Sequence, residues 1–406
     1  MMITRKHTVA GLALALLALT GATVTRRPTD GPVLHTIVLG VDPANVAVDG
    51  ATGHAFVVDR NTDGYTARGQ GTVSLVDTRA GKVLRTVSVG PDPREAVIDD
   101  RNGHVLVAND DDASVSVLDA RSGAVLGTTH VGSQPHHIAV DTRTDRAFVV
   151  NSGDGSVSVL DARRAVVLRT VRLGQDVALS GVAVDERMGR VFVGDTSGAT
   201  GLMHVLDAHT GLASTVRQAP ASGVAPPSYA ASQRYASSYP SRLGTTAEPM
   251  VVDATPLAGA PDGRVFMVNG AGLRVLDART GRMVRTIAVG GAASAVAVDA
   301  RRQRVYVTWI TGVDANGFAA GPGHLTMLDA RSLAVLRTVD AGMTPRALAV
   351  DAGSGHVVVV DEGGSTTIPD AWSWVPARVR QRLSFLHSSV HTRAVPARLT
   401  VFDMNR

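Results

Sequence analysis

One nine-residue segment recurs along this chain, and the repetition constrains the fold more than any other feature. The segment "VSVLDARSG" at residues 115–123 has counterparts such as "VSLVDTRAG" and "LRVLDARTG". Self-similarity of this kind is the signature of a repeat architecture. The aspartates of its seven copies are Asp77, Asp119, Asp161, Asp207, Asp277, Asp329 and Asp403.

Each copy belongs to a unit of four short, apolar, β-rich segments. A second segment also ends in aspartate, a third resembles "HVLVAN", and a fourth resembles "VLRTVSVG". The aspartates of the second segment are Asp49, Asp99, Asp141, Asp185, Asp253, Asp299 and Asp351. The residues between segments, as in "LDARTG", are typical of tight turns in which the carboxylate accepts amide hydrogen bonds and glycine supplies a positive φ. Seven four-stranded units predict an all-β fold, a seven-bladed β-propeller.

The two ends of the chain supply complementary strands. The segment "VLHTIVLG" at 33–40 matches the fourth segment of a unit but precedes the first unit, and the last unit ends after its third segment. We expect the N-terminal strand to pair into the last blade and close the ring, which removes an unpaired sheet edge. The sequence therefore predicts a single propeller domain at 33–406.

The first residues have the layout of a secretory signal peptide. Arg5, Lys6 and His7 precede an apolar run at 9–19 and small residues up to Ala22. The run of about eleven apolar residues is shorter than the about twenty that span a bilayer. We predict a leader at 1–22, a short linker at 23–32 and a periplasmic or secreted protein. Cleavage and retention of the leader both stay open.

The repeats resemble those of a known family. The segments "VYVT" at 305–308 and "FVVN" at 148–151 are similar to the motif of the YVTN-repeat seven-bladed propellers of bacterial envelopes and archaeal surface layers. The resemblance implies the propeller fold. It does not choose a function, because such relatives range from surface-layer components and DNA-binding periplasmic proteins to subunits resembling amine dehydrogenases, and a shared fold does not define chemistry.

Insertions interrupt the later units. If the strands of each blade are named A to D from the axis outward, the A–B and C–D turns lie on one face, and the B–C and D–A connections lie on the other. Four insertions are predicted, at 60–71, 213–248, 310–323 and 362–397. All four belong to B–C or D–A connections. We call that face the decorated face and the opposite one the turn face, where a small extension occurs at 256–261.

Aromatic residues are concentrated in or beside the insertions, where they are candidate interface residues. They are Tyr65, Tyr229, Tyr235, Tyr239, Trp309, Trp372 and Trp374. The alternative is that they hold the long loops in place by local packing. Residues 372–386 have apolar positions at helical spacing with arginines between them, which predicts a short helix that packs over the propeller or contacts a membrane surface.

Residues just before strand A are expected at the mouth of the central channel, on the decorated face. The candidate ligand-binding residues are Asn45, Arg94, Glu95, His136, His137, Glu248 and Arg346. Guanidinium groups at a concave mouth suit carboxylate or phosphate ligands. Arginines solvated on the rim are the structural alternative.

Metal, cofactor and nucleic-acid sites are not expected. His136 and His137 are adjacent in a strand and point to opposite sides, so they cannot easily hold one ion. Residues 59–64, "DRNTDG", match the start of a calcium loop, but Gln70 stands where a bidentate glutamate is required, which leaves calcium a weak alternative. The chain has no cysteine, so thiolate ligands and disulfides are excluded. The formal net charge of +4 and the run "RVRQR" do not indicate a nucleic-acid surface without a stacking platform.

The sequence leaves two functions open. The favoured one is an exported, non-catalytic recognition or scaffold module that binds a partner protein or an envelope ligand through the decorated face. The alternative is an enzyme at the channel mouth, such as a lactonase-like hydrolase or a redox subunit, with Arg94, Glu95, His136 and Glu248 as working groups. No GxSxG nucleophile motif is present.

Overall fold

The computed structural model describes residues 32–40, 42–60, 69–175, 177–195, 202–211, 213–217, 251–253, 263–268, 272–277, 280, 282–311, 321–367 and 392–405. Residues 32–405 belong to one compact unit. Within the described residues all the regular structure consists of strands, and none of them forms a helix that could span a membrane.

The strands follow one another in chain order. The first half contains β1 (Val33–Val38), β2 (Pro43–Asp49), β3 (His54–Asp59), β4 (Gln70–Asp77), β5 (Lys82–Pro91), β6 (Pro93–Asp99), β7 (His104–Asn109), β8 (Ser114–Asp119), β9 (Val125–His130), β10 (Pro135–Asp141), β11 (Arg146–Asn151), β12 (Ser156–Asp161), β13 (Val166–Arg172), β14 (Leu179–Asp185), β15 (Arg190–Asp195), β16 (Leu202–Asp207) and β17 (Ala213–Arg217). The second half contains β18 (Val251–Asp253), β19 (Arg264–Val268), β20 (Leu273–Asp277), β21 (Met283–Ile287), β22 (Ala292–Asp299), β23 (Arg304–Ile310), β24 (Gly323–Asp329), β25 (Val335–Gly342), β26 (Pro345–Val350), β27 (Val357–Asp361), β28 (Gly364–Thr367), β29 (Thr392–Val395) and β30 (Arg398–Phe402).

Seven antiparallel four-stranded sheets form the blades of the ring, which confirms the predicted seven-bladed β-propeller. Blades 1 to 6 are consecutive meanders, from β2-β3-β4-β5 to β22-β23-β24-β25. The innermost strands β2, β6, β10, β14, β18, β22 and β26 each contact the next in turn, and β26 contacts β2. The ring is therefore closed around strand A of every blade.

Blade 7 is assembled from both ends of the described chain. Its strand order is β26-β27-β30-β1, and β1 pairs antiparallel with β30, with Thr36 opposite Thr400 and Ile37 opposite Leu399. The N-terminal strand thus supplies the outer strand that the C-terminal segment lacks, which confirms the predicted closure. It covers the outer edge of β30, so that β1 becomes the edge strand of blade 7.

The core of the protein lies between the blades rather than inside any one of them. Phe56 of blade 1, for example, belongs to the same buried cluster as Val105 and Leu118 of blade 2. One bulky residue recurs in strand B and is fully buried in most blades, as Phe56, Phe148, Phe192, Phe266 and Tyr306. Because each interface is filled by side chains from two blades, a blade cannot bury its own faces alone.

The turns have the chemistry that the sequence predicts. Asp119 accepts hydrogen bonds from the amides of Arg121 (3.2 Å) and Ser122 (2.7 Å), and Gly123 follows at φ 67°. The same arrangement recurs at the other aspartates. Four turns have a non-glycine residue at the positive φ, namely Asp145, Ala165, Gln303 and Leu333.

A glycine at or near the end of strand D is required by packing in blades 1 and 6. A Cβ on Gly90 would overlap the side chain of Asn109, and one on Gly342 would overlap Asp361. Asn109 and Asp361 occupy the same position, the last residue of strand B. These glycines therefore leave room for the polar side chain that ends strand B.

Hydrogen bonds between loops define the two faces. On the turn face the amide of Ala120, in a C–D turn, donates to Gly103 of the A–B turn at 2.8 Å. On the decorated face the amide of Asp110, after strand B, donates to Asp92 of the D–A connection at 3.0 Å. The residues outside the description include 61–68, 218–250, 312–320 and 368–391, whose flanking strands all end at the decorated face. Residues 254–262 are flanked by strand ends at the turn face.

Two of the predicted insertions contain regular structure. Ala213–Arg217 is strand D of blade 4 and pairs with β16, so the D–A excursion begins after Arg217 instead of at residue 213. Within 362–397, β28 and β29 pair as a two-stranded ribbon, with Gly364 opposite Val395. These strands were predicted as parts of loops because they are short and lack the repeated sequence of the other blades, so composition alone does not distinguish them from loops.

Candidate functional site

The inner strands of six blades are distorted at the mouth of the channel. The pairing of strand A with strand B shifts register between Pro43 and Asn45, and the same shift occurs after Pro93 and after Pro135. A bulge of this kind re-aims the side chains beside it. The predicted residues Asn45, Glu95 and His137 immediately follow the extra residue.

These side chains connect neighbouring blades. The Asn45 Oδ1 atom accepts a hydrogen bond from the Ala96 amide of blade 2 at 3.1 Å. The Glu95 Oε2 atom accepts one from the Ile138 amide of blade 3 at 3.1 Å and lies 3.0 Å from His137 Nδ1. We call these contacts the blade ties. They provide hydrogen-bond acceptors for the backbone amides of Ala96 and Ile138, which lie beside the bulge.

A charged cluster lies beside the ties of blades 2 and 3. The Arg94 guanidinium donates to Asp92 at 2.6 Å and to Asp110 at 2.9 and 3.1 Å. The His136 Nε2 atom lies 3.1 Å from the same oxygen of Asp110. We call Asp92, Arg94, Asp110 and His136 the mouth cluster. It brings together two residues predicted from the sequence and two carboxylates that the sequence analysis did not select.

The two carboxylates of the mouth cluster differ in electrostatic environment. Burial alone would raise the pKa of Asp110, but the hydrogen bonds and positive charges of His136 and Arg94 outweigh it, and the pKa is lowered. Burial raises the pKa of Asp92, and repulsion from Asp110 and Asp111 adds to the rise despite the salt bridge to Arg94. Asp110 is therefore the principal partner of Arg94.

A second charged group lies at the junction of blades 7 and 1. Arg60 forms an ion pair with Asp42 at 2.7 Å and lies 4.0 Å from Glu362, and Glu362 pairs with Arg346. Burial lowers the pKa of Arg60, but the carboxylates around it raise the pKa by more than burial lowers it. The guanidinium therefore stays charged. Both predicted arginines, Arg94 and Arg346, are therefore already engaged by carboxylates. An incoming anion would have to displace those partners.

The two adjacent histidines have separate partners. Their rings lie edge to face with centroids 6.3 Å apart; His136 faces Asp110, and His137 faces Glu95. This divergence agrees with the expectation from strand geometry. Within the described ranges, no group of three or more histidine, aspartate or glutamate side chains is arranged to hold a metal ion.

Trp309 differs from its prediction as an interface residue. It is the next-to-last residue of strand B of blade 6 and is only 8% exposed. Its indole Nε1 donates to Thr326 at 2.8 Å, and its ring centroid lies 4.3 Å from that of His324. It occupies the place of Asn109 in blade 2, so it belongs to the blade interior. Its position directly before the predicted insertion at 310–323 is what suggested an interface role from the sequence.

The remaining predicted residues lie outside the described residues. They are Glu248, Tyr65, Tyr229, Tyr235, Tyr239, Trp372 and Trp374, together with most of the calcium-like segment 59–64 and the predicted helix at 372–386.

The insertion of blade 7 has a firmly held base. The Asp361 carboxylate, 1% exposed, accepts amide hydrogen bonds from Thr344 (2.7 Å) and Gly363 (3.2 Å) and a guanidinium bond from Arg398 (3.0 Å). The ribbon formed by β28 and β29 starts directly after this network. The base of the longest B–C connection is therefore fixed to the D–A connection beside it.

Arginines of the turn face connect neighbouring blades, a role that was not predicted from the sequence. Arg146 donates to the carbonyl oxygens of Ala208 and His209 in the next blade, at 2.6 and 2.9 Å. Arg264 makes the equivalent pair of bonds to Ala330 and Arg331 of the next blade. Arg302, in the A–B turn of blade 6, donates to Ala352 and Gly353 after strand A of blade 7. The regular spacing of arginine at the start of strand B, as in "DRAF" and "GRVF", was the available signal.

Comparison with known proteins supports the fold alone. No protein-family model matches the chain, and no curated protein sequence matches it. Among solved structures 1405 chains are similar, a breadth that by itself cannot select a function. One of them, hydrazine synthase from Kuenenia stuttgartiensis, is 14% identical with a TM-score of 0.52, and the match covers 83% of this chain and 95% of that one. The chain is therefore similar to a solved propeller structure at the level of architecture.

Proposed function

We propose that this protein is an exported, non-catalytic recognition or scaffold module. Its partner is a protein or an envelope ligand, bound on the decorated face. The rigid ring holds the B–C and D–A connections at fixed separations, so that binding residues can vary without changing the fold.

The observation that carries this proposal is that the longest connections, and four of the five long ones, lie on the decorated face; the fifth, 254–262, lies on the turn face. Segments 61–68, 218–250, 312–320 and 368–391 are all flanked by strand ends at the decorated face. Aromatic side chains are common at protein interfaces, and six of the seven aromatic candidates belong to these segments. The signal-peptide layout and the resemblance to envelope propellers support export.

The state of the channel mouth supports a binding role over a catalytic one. Glu95 is engaged by an amide and by His137, and Arg94 is held by two carboxylates. A general base or an anion-binding arginine must be available to the substrate, whereas these side chains join blades and loops to one another. The enzyme alternative would have to break those contacts.

The test is capture of partners from an envelope extract with intact and loop-replaced protein. Residues 218–250 would be replaced by the four residues at 131–134, which make the same D–A connection between blades 2 and 3. We expect the replacement to abolish capture of the specific partner, while the full-length chain retains it.

A matched control replaces a segment on the opposite face. Residues 254–262 would be replaced by the four residues at 300–303, which form the A–B turn of blade 6. This variant is expected to capture the partner normally. Normal capture by the 218–250 replacement, or loss of capture with His136→Ala and Arg94→Ala at unchanged stability, would favour the channel-mouth alternative.

A further inference from the structure

Exposed aliphatic side chains follow a regular pattern around the ring. All twelve large hydrophobic side chains that are exposed among the described residues lie on strand D, the outermost strand of a blade. Examples are Val83 and Leu84, Val125 and Leu126, and Leu168, with exposures of 44–57%. The valine and leucine of the repeated "VLRT" are therefore apolar although they lie at the surface and not in the core.

These side chains are concentrated at one end of the ring. Eleven of the twelve occupy the first three positions of their strands, directly after the C–D turn, and Val38 is the exception. At about 3.3 Å per residue they lie within about 10 Å of the turn face. Since equivalent positions of a propeller lie at one height, they form a coplanar apolar rim around the turn face.

The turns beside this rim expose mainly positive charge. Ten arginines on the described A–B and C–D turns are exposed, among them Arg121, Arg143 and Arg163, against two exposed acidic residues at this face, Asp100 and Asp207. The aspartates that end strand C accept amide hydrogen bonds from their own turns, as Asp119 does. Glu186 instead accepts a bond from the Thr142 amide of the neighbouring blade, and Asp145 pairs with Arg101. The outermost layer of the turn face is therefore basic.

We infer that the turn face is a membrane-binding surface that docks flat on an anionic lipid bilayer. The arginines meet lipid headgroups, and the aliphatic rim enters the boundary between headgroups and acyl chains, a depth of about 5–10 Å. A planar bilayer contacts all blades at once, so that weak contacts at each blade add up. The decorated face then points away from the membrane.

Two features favour a bilayer over other occupants. Nucleic acid is held by basic grooves with aromatic stacking platforms, whereas the rim contains valine and leucine. A second copy would present the same exposed arginines, and like charges in contact oppose association. An anionic bilayer is complementary to both the charge and the apolar rim.

The experiment measures sedimentation of the full-length chain with large vesicles of phosphatidylcholine. A second set of vesicles contains about one third phosphatidylglycerol, which makes their surface strongly negative. Binding is expected only with phosphatidylglycerol and should weaken as salt is added. Arg121→Ser should weaken it about fivefold, and Arg121, Arg143 and Arg163 replaced together should weaken it on the order of 100-fold. Arg172→Ser, at the decorated-face end of strand D, should leave it unchanged.

The apolar contribution has its own matched pair. Val83→Ser, at the turn-face end of strand D, should weaken binding about threefold, while Val38→Ser, at the other end of a strand D and 66% exposed, should have no effect. Equal effects of the two variants would overturn the inference, as would absence of binding to phosphatidylglycerol vesicles. Tighter binding of duplex DNA that displaces the vesicles, or self-association lost with Leu84→Ser, would overturn it in favour of those partners. The inference is independent of partner capture, which tests the other face.

Discussion

The two carboxylates that share Arg94 should respond in opposite ways to removal of their charge. Asp110 is the most buried acceptor of the mouth cluster; it accepts two hydrogen bonds from Arg94 and faces His136. Asp110→Asn removes its charge from these contacts. In Asp92→Asn, the carboxylate with the raised pKa is replaced. Asparagine also tolerates the positive φ of 48° at that position better than most residues.

The size of the difference follows from the contacts. Hydrogen bonds to charged groups contribute about 1.5–3 kcal/mol each, and an asparagine oxygen retains one of them in weaker form. We therefore expect Asp110→Asn to lower the free energy of unfolding by about 2–3 kcal/mol. Asp92→Asn should change it by less than about 1 kcal/mol, because the lost pair with Arg94 is offset by relief of burial and repulsion. For a unit of about 370 residues, 2–3 kcal/mol corresponds to about 3 °C in Tm.

The pH dependence has a definite sign. Because the pKa of Asp110 is lowered in the folded protein, its charge contributes to the free energy of unfolding above about pH 4, the ordinary range of aspartate. That contribution is lost as the pH falls through the folded-state pKa. The raised pKa of Asp92 means that its ionisation costs stability as the pH rises above that range. The penalty of Asp110→Asn should therefore shrink below pH 4, while Asp92→Asn should be most favourable at neutral pH.

Urea unfolding followed by circular dichroism at pH 7 and at about pH 3, below the ordinary aspartate range, would measure both variants against the parent. Exposed Arg172→Ala serves as a control. Equal stabilities of Asp110→Asn and Asp92→Asn at pH 7 would refute the assignment of Asp110 as the principal partner of Arg94.

Three further substitutions test other parts of the ring by the same urea assay. Glu95→Ala should lower the unfolding free energy by about 1.5–3 kcal/mol, since it leaves the Ile138 amide without its acceptor; no change would contradict the blade tie. Ala165→Gly, at φ 56°, should raise it by up to about 1 kcal/mol, because a left-handed conformation costs alanine more than glycine, and a loss of stability would contradict this. Asp361→Ala should lower it by about 3–5 kcal/mol because Arg398 and several amides lose a buried acceptor, so a change below about 1 kcal/mol would count against the network.

The architecture could be predicted from the sequence because it rests on local and repeated signals. Aspartate–glycine turns, seven pairs of aspartates and a spare N-terminal strand were enough for the blade number and for closure through β1 and β30. Strand D of blade 4 was missed because Ala213–Arg217 directly precedes a long polar segment, so its composition blends with the loop.

The candidate site was harder to predict because its chemistry depends on contacts between units. The spacing placed Arg94, Glu95 and His136 near one another, but their partners Asp92 and Asp110 are set by folding of the D–A and B–C connections against each other. Trp309 was misplaced for a related reason, since the end of strand B can hold either a polar residue or a buried indole.

The apolar rim illustrates a different limit. The recurrent "VL" of strand D has the pattern of core residues, and only the position of strand D at the edge of each blade exposes it. Whether an apolar residue is buried depends on what lies beyond its own sheet, and a single repeat does not contain that information.

The central claim, that recognition takes place on the decorated face, can be measured with single cysteines because the chain has none of its own. Ser133→Cys lies in a D–A connection and Ser122→Cys in a C–D turn, and both serines are exposed. With the partner recovered by capture, thiol labelling of Ser133→Cys should slow severalfold while labelling of Ser122→Cys keeps its rate. Protection of Ser122→Cys with free labelling of Ser133→Cys, or equal protection of both, would contradict the account.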